Sequence, residues 1–585
     1  MPIWPIFDEI PSIESPEIET RSRQCKIAQI ENRYVVDLLQ EITKNAFLIN
    51  VMQRFDALVI GAGHNGLTAA AYLAKAGMKV LVLERRHVLG GAAVTEELYP
   101  GFKYSVCSYV VSLLRPEVIR ELELTRYDLE IIPLDSTFTP MPDGNYLARW
   151  GDHAKTRREI ARHSLRDAEA YDDYGKLMVE MAMAVKPLLG IVPPKPASWQ
   201  PREILRCAGL GNHFAGLGEK RLYALAKLMT MSSADFLDEW FETDVLKATM
   251  AASGIIGTFM GPRSPGTAYV LLHHYMGELD GAFRSWGFAR GGMGSISRAI
   301  ADAARHHGAD IRLQAPVARV LVRNGSAYGV VLDSGEEIHG DIVVSSADPK
   351  RTFLKLLGPG DLDPAFLQQV KNYKLRGSSA KVNLALDALP RFTSLPGDGP
   401  HLSGAISISP SIDYLERAYD DAKYGDFSRR PYLDVIIPST LDPSMAPPGK
   451  HVMSIFVQYA PYRLCSGSWP ERREELGDAV VATLSEYAPG LEDRILHRQV
   501  VTPWDLEQEF GLTEGNIFHG ELTLDQLFFL RPFPGWAQYR TPIENLFLCG
   551  SGTHPGGGVM AASGRLAALE IIKHKKRGRI RRESL

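Results

Sequence analysis

Cysteine is scarce in this chain: five residues, Cys25, Cys107, Cys207, Cys465 and Cys549, are spread over 585 positions, and no two stand in a CxxC or CxxxxC spacing. That pattern argues against a dithiol redox centre, a zinc site and a disulfide framework, and it fits a reducing compartment. Long apolar runs are missing too. The stretch from Met178 to Val192 is interrupted by Lys186 and Pro187, short of the roughly 18 residues that a spanning helix needs. Neither sign of charge dominates, with 65 Lys and Arg against 69 Asp and Glu, so nothing global points to nucleic acid. No paired acid and base and no metal-ligand cluster stand out. A chain of this length is expected to hold two or three domains.

The most informative stretch is FDALVIGAGHNGLTAAAYLAKAGMKVLVLERRHVLGG, Phe55 to Gly91. The spacing predicts a buried strand, Phe55 to Ile60, then Gly61, Gly63 and Gly66, an Ala-rich helix to Gly77, and a second strand, Lys79 to Glu84. This is a βαβ unit carrying G-x-G-x-x-G with an acid at its far end. Gly61 allows the tight turn, Gly63 keeps the helix N-terminus open to a pyrophosphate, and Gly66 lets helix and strand pack closely. Glu84 is placed to accept hydrogen bonds from both ribose hydroxyls, which favours a 2′-OH nucleotide over NADP. Arg85 and Arg86, with Gly90 and Gly91 just downstream, favour FAD over NAD.

Elsewhere the pattern is less specific. Residues 1–53 are rich in proline and acids, a poor secretory signal or presequence, and form an expected N-terminal arm, poorly ordered, of which 1–51, before Met52, are either dispensable or an upstream reading of the start. Residues 54–111 are expected to form a first part of the cofactor domain and 112–285 a mainly helical part of a cap. The cap's methionines, Met178, Met181, Met183, Met229, Met231 and Met250, fit a helical core or an apolar tunnel. Gly291 to Gly294 open a helix ended by Gly308, and four short strands between Asp310 and Ser345 follow; residues 286–360 read as a second part of the cofactor domain. With no strand before it and no acid about twenty residues on, the GGMG at 291–294 is expected to approach the substrate or the flavin ring. No second dinucleotide fingerprint is present, so no bound NAD(P)H site is expected.

Residues 361–540 carry strands at Lys381 to Ala385, Tyr432 to Ile437 and His451 to Tyr459 and a helix from Arg472 to Tyr487, a second part of the substrate domain. His401, His497, Asp505 and His519 have no partner by spacing and are expected on the surface or in the core. The segment 541–575 closes the cofactor domain: a strand at Asn545 to Cys549, the loop GSGTHPGGG at 550–558, and a helix from Val559 to Lys573. Free amides there suit the edge of a flavin that gains charge on reduction. His554 is the single catalytic candidate, beside the ring or ordering the loop. Residues 576–585 are a basic tail, for which contact with anionic lipid is conceivable.

The motifs GAGHNGLTAAAYLAKAG, LERRHVLGGAAVTEELYPGFKYSVCSYVVSLLRPE, GGMGSISRAI and FLCGSGTHPGGGVMAASG resemble those of the phytoene dehydrogenase-related FAD oxidoreductases, over about residues 54 to 575. The resemblance implies an α/β fold: a glutathione-reductase-like, FAD-binding Rossmann domain built from separated segments, with an inserted α+β substrate domain. It implies that Gly61, Ala62, Gly63 and Gly66 hold the pyrophosphate, Glu84 the ribose, Arg85 the adenosine side, and Gly90 and Gly91 the inner phosphate. Val317 would contact adenine, and Ala347, Gly550, Ser551, Gly557 and Val559 the ribityl chain and flavin. Carotenoid desaturases tend to have Arg after the paired glycines and Asp in the C-terminal loop, where this chain has Ala92 and Ser551; carotenoid desaturation is therefore not expected.

The expected chemistry is hydride removal from a small apolar, lipid- or isoprenoid-like substrate by FAD, with oxygen or a quinone as acceptor. Two alternatives stay open, a flavin amine oxidase and a low-turnover flavoprotein acting as a regulatory partner. A homo-oligomer is compatible with the sequence, and a spanning segment and nucleic acid are not expected. A cytoplasmic location is expected for a bacterial source; the resemblance implies a mitochondrial one as the alternative.

Overall fold

The first elements form where the apolar pattern is most one-sided: strand β1 (Phe55–Ile60), helix α1 (His64–Lys75) and strand β2 (Val80–Leu83). The computed structural model describes residues 54–583 except 280 and 284, with backbone alone for 283 and 577–583; the N-terminal arm, Cys25 and the last two residues lie outside the described part. A hairpin of β3 (Thr95–Tyr99) and β4 (Phe102–Ser105) turns at Pro100-Gly101. Strands β5 (Ser136–Pro140) and β6 (Tyr146–Trp150) precede the helices α2 (Leu165–Val185), α3 (Pro201–Ala215), α4 (Glu219–Thr230) and α5 (Thr267–Tyr275). Helix α6 (Gly294–His306) leads into β7 (Asp310–Arg312), β8 (Val317–Arg323), β9 (Ser326–Leu332) and β10 (Glu337–Ser345). Next come β11 (Ser379–Leu386), β12 (Ala405–Ile408), β13 (Tyr432–Ile436), β14 (His451–Gln458), helix α7 (Trp469–Ser485) and β15 (Ile495–Val501). Strand β16 (Leu546–Leu548) and helix α8 (Ala562–Glu583) end the chain.

Apart from the β3–β4 hairpin, these strands form two seven-stranded sheets. The first runs β7-β2-β1-β10-β9-β8, with β16 also on β10. Its centre is parallel, and β8 and β9 form an antiparallel extension. Strand β2 and nearly all of β1 are buried, as parallel strands covered by helices must be. One cover is alanine-rich: Ala69, Ala70 and Ala71 of α1 and Ala299 and Ala303 of α6 expose no surface, and their small size lets helix and sheet approach closely.

The second sheet runs β15-β11-β14-β13-β12-β5-β6, antiparallel except for β12 on β5. Helix α7 packs on one face and α2 and α5 lie over the other. Its strands come from residues 136–150 and 379–501, between the segments that build the first sheet. From Phe55 on, the chain forms one compact unit.

Residues 112–285 are mainly helical and also hold β5 and β6, and β5 finds a second partner far along the chain in β12. Three expectations change. The GGMG turn follows a short strand, Gly287–Ala289, paired with Ile131–Pro133. Its backbone meets the hairpin: Gly294 N–H donates to Thr95 Oγ1 at 2.9 Å and Met293 N–H to Ser105 Oγ at 3.1 Å. An added Cβ on Gly292 would lie 2.2 Å from Thr95 Oγ1, so these glycines admit the hairpin. The last helix begins at Ala562, three residues later than expected, because Val559 and Ala561 turn the chain at φ +56° and +61°. Its backbone also continues through the basic tail as far as Glu583. Among the methionines, Met178 and Met181 are core, Met183 is exposed and Met250 lines a cavity.

Candidate functional site

A cleft of about 410 Å³ lies at the C-terminal end of β1. The turn that opens it is dictated by its glycines. Gly61 sits at φ +92°, and a Cβ there would meet Ser346 Oγ at 2.6 Å; a Cβ on Gly66 would lie 2.1 Å from the Gly61 carbonyl oxygen. Gly63 differs, because a Cβ there would meet no heavy atom within 4 Å. It precedes α1, whose N-terminus has no side-chain cap and no acid in its first turn. The positive end of the helix therefore faces open space, as an anion-binding turn requires.

Glu84 is buried and held from two sides. Its Oε2 accepts from Ala62 N–H at 2.7 Å and its Oε1 from Arg86 N–H at 2.9 Å, which leaves lone pairs on both oxygens. Gly90 and Gly91, both at positive φ, run beside the turn: Gly90 N–H donates to the Ala62 carbonyl at 2.8 Å, and a Cβ on Gly91 would lie 3.2 Å from Gly63 Cα.

Of the residues singled out from sequence, Gly61, Gly63, Glu84, Arg85, Gly91, Val317, Ala347 and Ser551 line this cleft. Ala62, Gly66 and Gly90 lie directly behind it and shape the turn. Gly550 lies under Ser346, with its would-be Cβ 2.3 Å from the Ser346 carbonyl. Gly557 packs against Phe518, and Val559 is in the core under α8.

His554, expected either beside the ring or ordering the loop, lines neither this cleft nor the larger cavity. Its Nε2 is 2.7 Å from the Leu188 carbonyl, to which it donates, and its ring meets Phe528 edge-on. Burial lowers its pKa to about 4, so it is a neutral imidazole that orders the loop.

The structure adds two histidines that sequence reasoning did not place here. His64, a variable position of the fingerprint, and His519, expected on the surface or in the core and about 455 residues further along the chain, both line the cleft. Burial lowers both imidazole pKa values, that of His64 to about 4. His64 Nε2 and His519 Nδ1 are buried without a hydrogen-bond partner. Asn65 Nδ2 donates to Ser551 Oγ at 3.0 Å and joins the first βαβ unit to the C-terminal loop. An open helix N-terminus, a fixed carboxylate and two orphaned imidazole atoms fit a dinucleotide with a pyrophosphate and ribose hydroxyls.

A larger cavity, of about 980 Å³, is walled by α2, α5 and the second sheet. Tyr171, Tyr174, Tyr275, Trp286, Met250 and Leu271 form an aromatic and aliphatic part of its wall, while Asp135, Arg149, His153, Asp172, Lys176, Glu180, His274 and Asp434 bring charged or titratable groups to the rest. Residues 517–519 and His274 lie between the two spaces. Ile517 and His519 line the cleft, and Phe518 stacks at 6.1 Å on His274, which lines the cavity.

Asp434 is half-buried, its pKa pushed up to about 6 by desolvation, and its Oδ2 accepts from Tyr109 O–H at 2.6 Å. Lys381 Nζ lies 5.2 Å from the Tyr109 ring centroid and donates to Asn383 Oδ1 at 2.9 Å, to the Ser105 carbonyl at 3.2 Å and to Ser454 Oγ. Burial lowers its pKa to about 7, opposed by Cys107 and Asp434. A lysine and an asparagine inside β11, whose eight residues are all buried, were the available sequence signal. Other singled-out polar residues have structural roles: Asp505 caps the helix Pro503–Phe510, His497 meets Tyr104 O–H, and His401 packs on Phe138.

Among the described residues no group of three or more His, Cys, Asp or Glu could hold a metal ion, and no helix is long and apolar enough to cross a membrane. A family model described as flavin containing amine oxidoreductase matches residues 217–572, and one described as NAD(P)-binding Rossmann-like domain matches 59–122. The chain is 43% identical to pyridine nucleotide-disulfide oxidoreductase domain-containing protein 2 of Rattus norvegicus, over 89% of this chain and 94% of the relative. Among the described residues Cys107, Cys207, Cys465 and Cys549 are free. Phytoene desaturase (neurosporene-forming) of Rhodobacter capsulatus is 26% identical, over 88% and 93% of the two chains. Among solved structures, cyclohexylamine oxidase from Brevibacterium oxydans has the same fold, with a TM-score of 0.54 at 18% identity over 89% of this chain and 100% of that one. With its matching family model, its near-full-length relative and its dinucleotide cleft, the chain belongs to the flavin-containing amine oxidoreductase family and is an FAD-dependent oxidoreductase.

Proposed function

We propose that this chain holds FAD in the smaller cleft and removes hydride from an apolar, lipid- or isoprenoid-like substrate in the larger cavity, with oxygen or a quinone as final acceptor. The observation that carries the reading is the closeness of a dinucleotide cleft to a cavity of about 980 Å³ part of whose wall is aromatic and aliphatic, with residues 517–519 and His274 between them. FAD, when bound, supplies the two-electron acceptor chemistry.

The chain's own residues bind and orient. The turn Gly61 to Gly66 receives the pyrophosphate at the α1 N-terminus, Glu84 the ribose hydroxyls, Arg85 and Val317 the adenosine end, and Ala347 and Ser551 the ribityl side. His64 and His519 offer neutral imidazole nitrogens to polar atoms of the cofactor. In domain terms, the first sheet is a glutathione-reductase-like cofactor domain assembled from residues 54–111, 286–360 and 541–575, and the second sheet with its helices is the inserted substrate domain. Tyr109, Asp434 and Lys381 form a polar line that can hold a proton close to the cavity wall.

A second reading, amine oxidation, is favoured by Asp434: a carboxylate on the cavity wall can pair with a substrate ammonium. Anaerobic mixing of the yellow holoprotein with a terpene, a long-chain alkene or an alkylamine separates the two. Bleaching of the flavin by the apolar compounds supports the first reading, and bleaching by the amine alone supports the second.

A further inference from the structure

We propose that the outer face of α3 and α4, within residues 191–227, docks on an anionic lipid surface beside the mouth of the larger cavity. An amphipathic helix on a soluble protein normally turns its apolar face inward. Helix α3 turns only part of its apolar surface inward: Phe214 packs on the core and Cys207 and Leu210 are half-buried, but of its fifteen residues only Glu203 is buried. Leu205 is 73% exposed, Ile204 47%, and Trp199, just before the helix, 92%. Tyr223 of α4 is 64% exposed, and Leu222 and Met183 are exposed with it. Helices α3 and α4 are tied to α2, which carries Met183: His213 Nε2 bonds the Ala184 carbonyl at 2.8 Å, and Arg221 pairs with Glu180 at 2.8 Å. A cluster of exposed apolar groups this large on one helical layer marks an interaction surface.

Charge identifies the partner. The chain is net negative, yet residues 191–227 hold six Lys and Arg against two Glu; Arg206, Arg221 and Lys227 are paired with Glu203, Glu180 and Glu239. Lys195, Arg202 and Lys220 are exposed around the apolar groups. Aromatic and leucine side chains ringed by cations suit the boundary between anionic headgroups and acyl chains. A second copy of the chain would bring the same positive face against itself across a two-fold axis, which repels. Position supports the choice. Exposed Lys176 and Glu180 of α2 line the larger cavity, and Glu180 is the partner of Arg221 on α4, so the opening lies next to the proposed contact. The inference does not depend on the substrate reading, because lipid binding needs no turnover.

The test is co-sedimentation of the full-length holoprotein with vesicles of phosphatidylcholine alone or of phosphatidylcholine with phosphatidylglycerol. Binding to the anionic vesicles is expected, weakened by salt and absent with phosphatidylcholine alone. The double variant Trp199→Ser, Leu205→Glu should lose about tenfold or more in partitioning while keeping its flavin content and melting temperature. No binding to either vesicle would overturn the proposal. Undiminished binding by the double variant would assign the contact to another part of the chain, and a dimer in light scattering that Leu205→Glu dissociates would assign the face to a second copy.

Discussion

Replacing Gly63 by valine isolates the cofactor claim from folding. At Gly63 the backbone has φ −70° and ψ 164°, a conformation that a β-branched residue adopts readily, and an added Cβ meets nothing within 4 Å. The variant should therefore fold with a stability within about 1 kcal/mol of the apo wild type. The valine methyls would occupy the space before the α1 N-terminus that the pyrophosphate needs. Losing two charge-assisted N–H bonds, at about 1.5–3 kcal/mol each, weakens FAD by on the order of 3–6 kcal/mol, or a factor of about 10²–10⁴. FAD at a hundredfold excess over its Kd stabilises the wild type by about 2.7 kcal/mol, so a melting experiment on apo protein should show an FAD-dependent shift that the variant lacks. Gly66→Ala is the contrast: its Cβ would lie 2.1 Å from the Gly61 carbonyl, so it should lower the melting temperature of the apo protein itself. A Gly63→Val protein that purifies yellow and fully loaded would refute the placement of the pyrophosphate.

Three further outcomes are expected. Arg531 is fully buried, and its guanidinium donates to the carbonyls of Ser551, Phe518, Gly520, Glu521 and Gln526. Arg531→Met should destabilise by about 3 kcal/mol or more, measured by urea unfolding, because several buried carbonyls lose their donor. His554 is neutral when folded, so the unfolded chain takes up a proton that the folded one refuses as pH falls from about 6.5 toward 4. Stability should fall over that window, and His554→Asn, which still donates an N–H to Leu188, should remove up to about 1.4 kcal/mol per pH unit of that slope. Lys381 has a lowered pKa, so its contribution to stability is lost as pH falls through the range from about 10 to about 7. Lys381→Met should accordingly compare better with the wild type at pH 6.5 than at pH 10 in paired melting curves, and should slow flavin reduction by the substrate.

The cofactor cleft was legible because its determinants are local. The β1-α1-β2 unit puts the glycines, the helix start and Glu84 within thirty residues of one another, and strand and helix appear with bounds within a residue or two of those expected. Elements whose reason is distant were not legible. Strand β5 pairs along its whole length with its neighbour β6, but its place in the sheet is set by Ala405 and Ile406 of β12, more than 250 residues away, which STFTP alone does not announce. Helix α3 begins at a proline and contains Gly209 and Gly211, so neither composition nor a buried stripe announces it. His519 reaches the cleft through a loop conformation at φ +55°, which no spacing encodes. The same limit applies to His554, since nothing in GSGTHPGGG reveals that the Leu188 carbonyl waits for its Nε2.

The most direct test of the central claim is an anaerobic titration of the holoprotein followed by visible absorption. Bleaching of the oxidised flavin band by an apolar terpene or alkene, at stoichiometric amounts and restored by oxygen or a quinone, is the predicted result. A flavin that only amines bleach, or a fully loaded protein whose band no candidate compound changes, would contradict it.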